Sequence, residues 1–403
     1  MSKRICVINE YAGSPSHGME YRHYYLGKNW VESGHDVSII SSSYSHLYNY
    51  LPVKRKEYIE GIRYRWIKTF NYGDSHNKKR VFKWMLFTAK LFFLPLFQKK
   101  PDIILVSPMA PFPILPAWIW AKLWGAKLIF EVKDIWPLSV IELGNISPRH
   151  PLMLCMSFFE RFAVKRSDLV VSNLPNYGSH LRNDLGIDRD FHWISNGISI
   201  NHAETDPLDK KTLECLPEDK FIIGYAGTVG AANALDSFLE GARILNSEKD
   251  ILWVVVGDGQ EKRRLMAKYE SDSNILFLDS VRKNQVPELL SCFNACYIGL
   301  KKERLFTYGV SPNKLFDYML SGRPILYAID SGDFNVVQES QCGISVEAEN
   351  PTAIAEGALQ LFCDRSNNTE MGEKGMNLVL REFTYQKLAE KYVDLFNFAS
   401  SSG

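Results

Sequence analysis

Short apolar runs of strand length recur along the chain, each followed by a polar or glycine-rich turn and then a helical pattern. The first half offers RICVI (4–8), DVSII (36–40), DIILV (102–106), AKLIFEV (126–132) and LVVSN (169–173). The second half offers FIIGYAG (221–227), ILWVVVGDG (251–259), ILFLD (275–279), CYIGL (296–300), PILYAI (324–329) and GISV (343–346). Near-continuous apolar strands alternating with helices predict parallel sheets covered on both faces, an α/β fold. The pattern restarts after the polar, turn-rich stretch 195–220, and 403 residues exceed what one hydrophobic core holds. Two doubly wound, Rossmann-like domains are therefore expected, residues 1–197 and 198–383, facing each other across a cleft. Ligands should sit at the C-terminal ends of the strands. The segment 384–399 has helical spacing in Leu388, Tyr392, Leu395 and Phe396, and the helix 384–403 is expected to pack back on the first domain.

Composition narrows the classes. A hydrophobic content of 46% with 23% charged residues is ordinary for a folded chain. The formal charge of +1 gives no reason to expect nucleic acid as a partner. Seven scattered cysteines, without CxxC or paired Cys/His spacing, suggest neither disulfides nor a metal and fit a reduced, cytoplasmic compartment. The run ICVI near the N-terminus is far shorter than the roughly 7–15 residues of an export core. No uncharged run approaches the ~18–20 residues of a spanning helix.

One stretch is electrostatically odd. In SPNKLFDYMLSGRPILYAI (311–329), Ser311 and Pro312 read as a helix start, and Gly322 with Pro324 as its end. Lys314 then lies in the first turn, against the helix dipole, with Asp317 on the same face. A cation there becomes favourable if an anion occupies the helix N-terminus. Diphosphate suits a doubly wound fold, and Asp317 stands where a carboxylate could accept both ribose hydroxyls. The plainer alternative is a surface helix with an i,i+3 ion pair worth ~0.2–0.5 kcal/mol.

Other loops point the same way. AGTVGAANALDSFLEGARIL and VVVGDGQEKRRL place Gly227, Thr228 and Gly230, then Gly257 and Gly259, just past buried strands. DSVRKNQVPELL puts Val281, Arg282 and Lys283 in a turn before a helix. In the first half, NEYAGSPSHGMEYRHYYLGKNW carries Gly13, His17, Gly18, Arg22 and His23 in a strand-to-helix loop. FEVKDIWP brings Glu131, Lys133 and Asp134 to the end of a strand, where Asp134 could instead cap a turn. No GxSxG elbow, Cys/His signature or HExxH is present.

In their order, these segments, with SHGMEYRHYYLGKNWVESGHDVSIIS (16–41), EVKDIWPLSVIELG (131–144) and SNG (195–197), resemble family-four retaining glycosyltransferases with the GT-B fold. The D-x-W-P and S-P-N-K-L-F-x-Y-M forms resemble the branch that builds O-antigen and capsule, which includes N-acetyl-L-fucosamine transferases. The resemblance implies that Asp317 holds the donor ribose, that Ser311, Asn313, Lys314 and Leu315 meet the diphosphate, and that Val281–Lys283 meet the base. It places Gly18 and the glycines of the other loops against donor phosphate. Asp134 matches the acid of the family's His–Asp element, with Lys133 where His is common. His17, Arg22, Glu131 and Lys133 are candidates for acceptor or sugar contacts. Two positions depart from the family: Gly309 stands where many members carry a second acid, and AGTVGAAN lacks the family's loop arginine and lysine, which shifts diphosphate charge onto Lys314, alone or with Arg282 or Lys283.

The implied reaction moves a sugar, such as N-acetylfucosamine or N-acetylglucosamine, from a UDP-sugar to a lipid-linked (polyprenyl diphosphate) glycan with retention, in O-antigen, capsule or exopolysaccharide synthesis. Asp134 and Lys314 are the expected catalytic residues, and no metal or other cofactor is expected. The alternatives are a GT-B epimerase or hydrolase of UDP-sugars, and a non-catalytic sugar-binding protein. Finally, RVFKWMLFTAKLFFLPLFQKK sits in a basic, aromatic stretch (78–100). Lys78, Lys79, Arg80, Lys83, Lys90, Lys99 and Lys100 around Phe82, Trp84, Phe87, Phe92, Phe93 and Phe97 suit the inner membrane surface. A buried helix is the alternative. PAWIWAKLWG (116–125) reads as a helix covering the sheet.

Overall fold

A computed structural model describes residues 2–18, 20–73, 77–94, 99–200 and 205–401. The expectations for Pro95, Phe97, the junction residues 201–204 and residues 402–403 lie outside these. The chain divides into two compact units, Met1–Ser199 with Tyr385–Gly403, and Ile200–Thr384. Each is a Rossmann-like α/β domain.

The first unit holds β1 (Arg4–Ile8), β2 (Asp36–Ser42), β3 (Lys56–Ile59), β4 (Ile62–Ile67), β5 (Ile103–Val106), β6 (Lys127–Val132), β7 (Leu169–Ser172) and β8 (His192–Trp193). Their order in the sheet is β3-β4-β2-β1-β5-β6-β7-β8, parallel except for β3 against β4. The chain reverses its direction of travel between β1 and β5. The second unit holds β9 (Phe221–Ala226), β10 (Ile251–Val256), β11 (Ile275–Leu278), β12 (Ala295–Gly299), β13 (Ile325–Ala328) and β14 (Gly343–Ser345). Their order is β11-β10-β9-β12-β13-β14, all parallel, with the reversal between β9 and β12. Every apolar run quoted above overlaps a strand. Ile103, Ile104, Leu105 and Val106 of β5 are fully buried, as a strand covered on both faces requires.

The β3–β4 hairpin is an element the apolar runs do not reveal. Its turn, Glu60–Gly61, has positive φ at both residues (49° and 79°), the geometry of a type I′ turn. Ile62, Tyr64 and Trp66 are buried while Arg63 and Arg65 alternate outward. The signal was alternation about a glycine turn rather than a continuous run.

The basic aromatic stretch corrects its expectation in part. Residues Lys79–Leu91 form an amphipathic helix. Trp84 and Phe87, read above as interface residues, are buried, and Trp84 packs with Ala110, Phe112, Met153 and Met156. Lys83 is buried too, its ammonium 2.8 Å from Glu10. Burial pushes Lys83 down and Glu10 up, each opposed by the other's charge. The opposite face keeps Lys78, Lys79, Phe82, Met85, Phe92 and Phe93 exposed. The helix Ile114–Trp124 buries Pro116, Ala117, Trp120 and Ala121, as a sheet-covering helix does.

The C-terminal helix Tyr385–Ser401 lies in the first unit, where Tyr392 and Phe396 pack on Trp30 of the helix Arg22–Glu32. A buried network fastens it. Glu131 Oε1 accepts from Arg22 Nε at 3.0 Å and from the Tyr392 hydroxyl, and Glu131 Oε2 accepts from His23 Nε2 at 2.7 Å. Asn9 Nδ2 donates to His23 Nδ1 at 3.0 Å, which leaves the His23 proton on Nε2. Arg22 also donates to the carbonyls of Ser195 and Ile194. Burial would raise the Glu131 carboxyl, but Arg22 and His23 hold it well below its ordinary range. Glu131→Ala would strand the Arg22 guanidinium, and breaking a buried pair this way costs about 3–5 kcal/mol. A denaturant titration should show that loss, whereas a change under 1 kcal/mol would contradict the network's structural role.

Candidate functional site

In the second unit, β9 and β10 pair in register from Phe221↔Ile251 to Ala226↔Val256, so their turns lie side by side. Gly227 donates to the Val256 carbonyl at 2.9 Å. At Gly257, φ is +148°, and a Cβ would fall 1.9 Å from the Gly227 carbonyl oxygen. Glycine there is demanded by backbone meeting backbone. Gly259 sits in the same turn, and Thr228 is exposed at its mouth.

The helix Asn313–Leu320 is fixed to this edge. The Tyr318 hydroxyl accepts from the Ala226 N–H at 2.9 Å and donates to its carbonyl at 3.1 Å. One turn earlier on the same face, Lys314 reaches the end of β9. Its ammonium donates to the Tyr225 hydroxyl at 2.7 Å and to Asn233 Oδ1 at 3.1 Å, and lies 4.3 Å from the Tyr225 ring centre. A Cβ on Gly227 would come within 3.2 Å of that ammonium, so the glycine also leaves room for it. Desolvation lowers Lys314 to about 8. Asp317 is raised to about 6 by desolvation, with Lys283 opposing.

The start of this helix differs from the sequence reading. Pro312, extended at ψ 132°, is the capping residue and no side chain caps the helix, so Ser311 stands one step outside it. Asn313 is exposed at the first position, whereas the Leu315 side chain is buried and its N–H donates to the Pro312 carbonyl at 3.1 Å. Gly322, at φ +67°, ends the helix. Val281 is half-buried and Arg282 and Lys283 are exposed, with Arg282 3.3 Å from Asp206. Gly309 is buried, at φ +94°.

In the first unit, Lys133 and Asp134 lie just past β6. Lys133 pairs with Glu20 at 2.8 Å, a partner that sequence reasoning missed because nothing in its spacing marks it. Burial raises Glu20, but Lys133 and His23 hold it below its ordinary value. Desolvation pushes the Asp134 carboxyl up against Lys133, although its exposure screens the effect. Arg22 and Glu131 are enclosed in the network described above. His17 and His23, which could have been surface residues, are both buried. His17 contacts Glu57 at 3.1 Å and Ser14 at 2.8 Å, and burial lowers it despite Glu57. At Gly18, φ is +130°, and a Cβ would strike the backbone of Leu47–Asn49, so close packing alone calls for glycine there. Among the described residues, no group of three or more His, Cys, Asp or Glu is placed to hold a metal ion.

Two family models match. Glycosyltransferase Family 4 covers residues 16–202, and Glycosyl transferases group 1 covers residues 220–364. The chain is a glycosyltransferase of the GT-B fold. It is 21% identical to N-acetyl-alpha-D-glucosaminyl L-malate synthase of Bacillus anthracis over 92% of this chain and 91% of that one. It is 26% identical to the putative colanic acid biosynthesis glycosyl transferase WcaI of Escherichia coli K12 over 76% and 79%. Among solved structures, Anabaena HepE in complex with UDP-glucose matches this glycosyltransferase with a TM-score of 0.66, at 12% identity over 98% and 99% of the two chains.

The raised Asp317 has a consequence for stability. Its folded value lies above the ~3.9 of an unfolded aspartate, so its contribution is full below about pH 4 and is lost as the pH rises through 6. Asp317→Asn should therefore melt at a higher temperature than the parent at pH 7.5, and the gap should close toward pH 4. Calorimetry across that range checks this, and a less stable variant at pH 7.5 would contradict it.

Proposed function

We propose that this glycosyltransferase moves an N-acetylated amino or deoxyamino sugar from a UDP-sugar to a lipid-linked glycan with retention, in the assembly of a surface polysaccharide. One observation carries the donor half of this reading. Lys314, in the first turn of a helix and beside the Gly227 turn, meets no carboxylate among its described partners, and Asp317 stands one turn on. A diphosphate would supply the missing counter-charge to Lys314 and to the positive end of the helix dipole. The ribose hydroxyls would donate to Asp317 in its ionised form. The β9/β12 reversal is where a doubly wound sheet takes its ligand. HepE in complex with UDP-glucose supports the choice of nucleotide, and the names of the two curated relatives support the sugar class and the pathway type.

Catalysis then rests on positioning and on charge. The donor's glycosidic bond ionises, the acceptor hydroxyl attacks from the same face, and the departing phosphate helps to take up the proton. Lys314 and the helix end stabilise the charge on the leaving diphosphate. Asp134, an exposed acid at the end of β6, is the first unit's proposed contribution. Val281, Arg282 and Lys283 are assigned to the base. His17, Arg22, Glu131 and Lys133 would shape the acceptor side, with Arg22 and Glu131 acting through the fold rather than by touching the ligand, and Gly18 is assigned to the donor phosphate.

Cytoplasmic association with the inner membrane face is the third part of the proposal. The exposed Lys78, Lys79, Phe82, Met85, Phe92 and Phe93 provide a basic apolar surface for it. No helix among the described residues is long and apolar enough to cross a membrane.

Asp317→Asn and Lys314→Ala should each weaken UDP binding about tenfold or more, as loss of a charged hydrogen-bonding partner does, while the circular dichroism spectrum stays that of the parent. Parent-like affinity in both would refute the donor site. Rapid turnover of UDP-sugars without an acceptor would instead identify a hydrolase or epimerase. On anionic phosphatidylglycerol vesicles, Phe82→Ser with Phe93→Ser should reduce cosedimentation, and unchanged partitioning would remove the membrane surface from the proposal.

A further inference from the structure

The surroundings of Lys314 are unusual for a lysine drawn in from solvent. Its acceptors are a phenol and an amide, and the face above which it sits is the Tyr225 ring. Both acceptors are themselves locked. Tyr225 is fully buried in β9, and its hydroxyl proton goes to the Thr228 carbonyl at 2.6 Å. What its oxygen offers Lys314 is therefore a lone pair. Asn233 donates through Nδ2 to the same Thr228 carbonyl at 3.0 Å, which turns Oδ1 toward Lys314. Asn233 closes the 3₁₀ turn Ala231–Asn233, and that turn is pinned by the Lys301 N–H to the Ala232 carbonyl at 3.0 Å. One backbone oxygen thus orients both side chains that receive the ammonium. Two of the three ammonium protons are used, and the third has no partner among the described residues.

Neutral acceptors aim a cation without cancelling it. A carboxylate at Asn233 would hold Lys314 equally well but would compete with any anionic ligand. The turn itself, AGTVGAAN, carries no cation of its own. We propose that Tyr225 and Asn233 are positioning residues that fix the Lys314 ammonium at the turn after β9, so that the helix Asn313–Leu320 supplies the positive charge this turn lacks for the terminal phosphate of a nucleoside diphosphate. The inference rests on the donor-site reading above and deepens it: the charge is transposed from the loop to the helix, and two uncharged residues hold it there.

The test compares UDP with UMP by titration calorimetry, because only UDP carries the phosphate in question. The parent should prefer UDP. Tyr225→Phe and Asn233→Ala should each lose about 3–10-fold in UDP affinity, with UMP affinity within about twofold. Asn233→Asp should lose the UDP preference while melting no lower than the parent, an outcome that a purely structural asparagine would not produce. In Lys314→Ala, adding Asn233→Lys should restore most of the lost preference by returning the cation to the loop. An unchanged preference in both Tyr225→Phe and Asn233→Asp would overturn the positioning role while leaving the donor site standing. Equal affinity of the parent for UDP and UMP would overturn the donor-site reading and the inference together.

Discussion

Covering a parallel sheet on both faces is the requirement from which the rest of this structure follows. Each parallel strand must be joined to its parallel neighbour by a crossover, so all strands but β3 end at the same edge of their sheet. Polar and glycine residues placed just after apolar runs are thereby collected along that edge. In the second unit this gathers Gly227, Gly257 and Gly259, and the β9/β12 reversal leaves room beside them for the helix that carries Lys314. In the first unit it gathers Glu10, Lys133 and Asp134 at the ends of β1 and β6.

Charge drawn wholly or partly out of solvent is treated in two ways. Glu131 has Arg22, His23 and Tyr392 around it, and Glu10 has Lys83. Those groups are compensated inside the protein and bind elements together. Lys314 is met by the neutral Tyr225 and Asn233 instead of a carboxylate, and desolvation lowers it to about 8 and raises Asp317 to about 6, with Lys283 opposing the latter. Such an arrangement costs stability in the free protein, and under the proposed donor site an anionic ligand would offset the part due to Lys314. A cation without a carboxylate partner at the end of a strand is what the donor-site proposal builds on.

Much of the fold was legible because its strands are apolar throughout, a signal that needs no partner to be read. The β3–β4 hairpin was harder, since its alternation only becomes strand-like once one face is known to be covered. The helix Lys79–Leu91 shows the same limit. Its composition is that of an interfacial helix, yet which aromatic residues face inward depends on the pocket formed by Ala110, Phe112, Met153 and Met156. Trp84 and Phe87 went in, while Phe82 and Phe93 stayed out. In the proposed site, Lys314 was visible as a conflict with the helix dipole, and Asp317 as the acid on its face. Tyr225, Asn233, Glu20 and Tyr392 carried no mark, because a buried tyrosine or a turn asparagine has an ordinary structural use in most sequences.

The amino-acid sequence by itself determined the two-fold repetition of α/β units, most of the strands, and the presence of a helix that places a lysine against its own dipole. These are consequences of local spacing and of apolar run length. Tertiary structure alone decided what that lysine meets. Residues 225, 233 and 314 come together only because β9 ends beside the start of a helix lying some ninety residues on in the chain. Tyr318 ties that helix to Ala226, and Thr228 sets the orientation of both neutral acceptors. Whether a charge in a folded chain is cancelled or merely aimed depends on the groups that reach it through space, and local sequence does not record them.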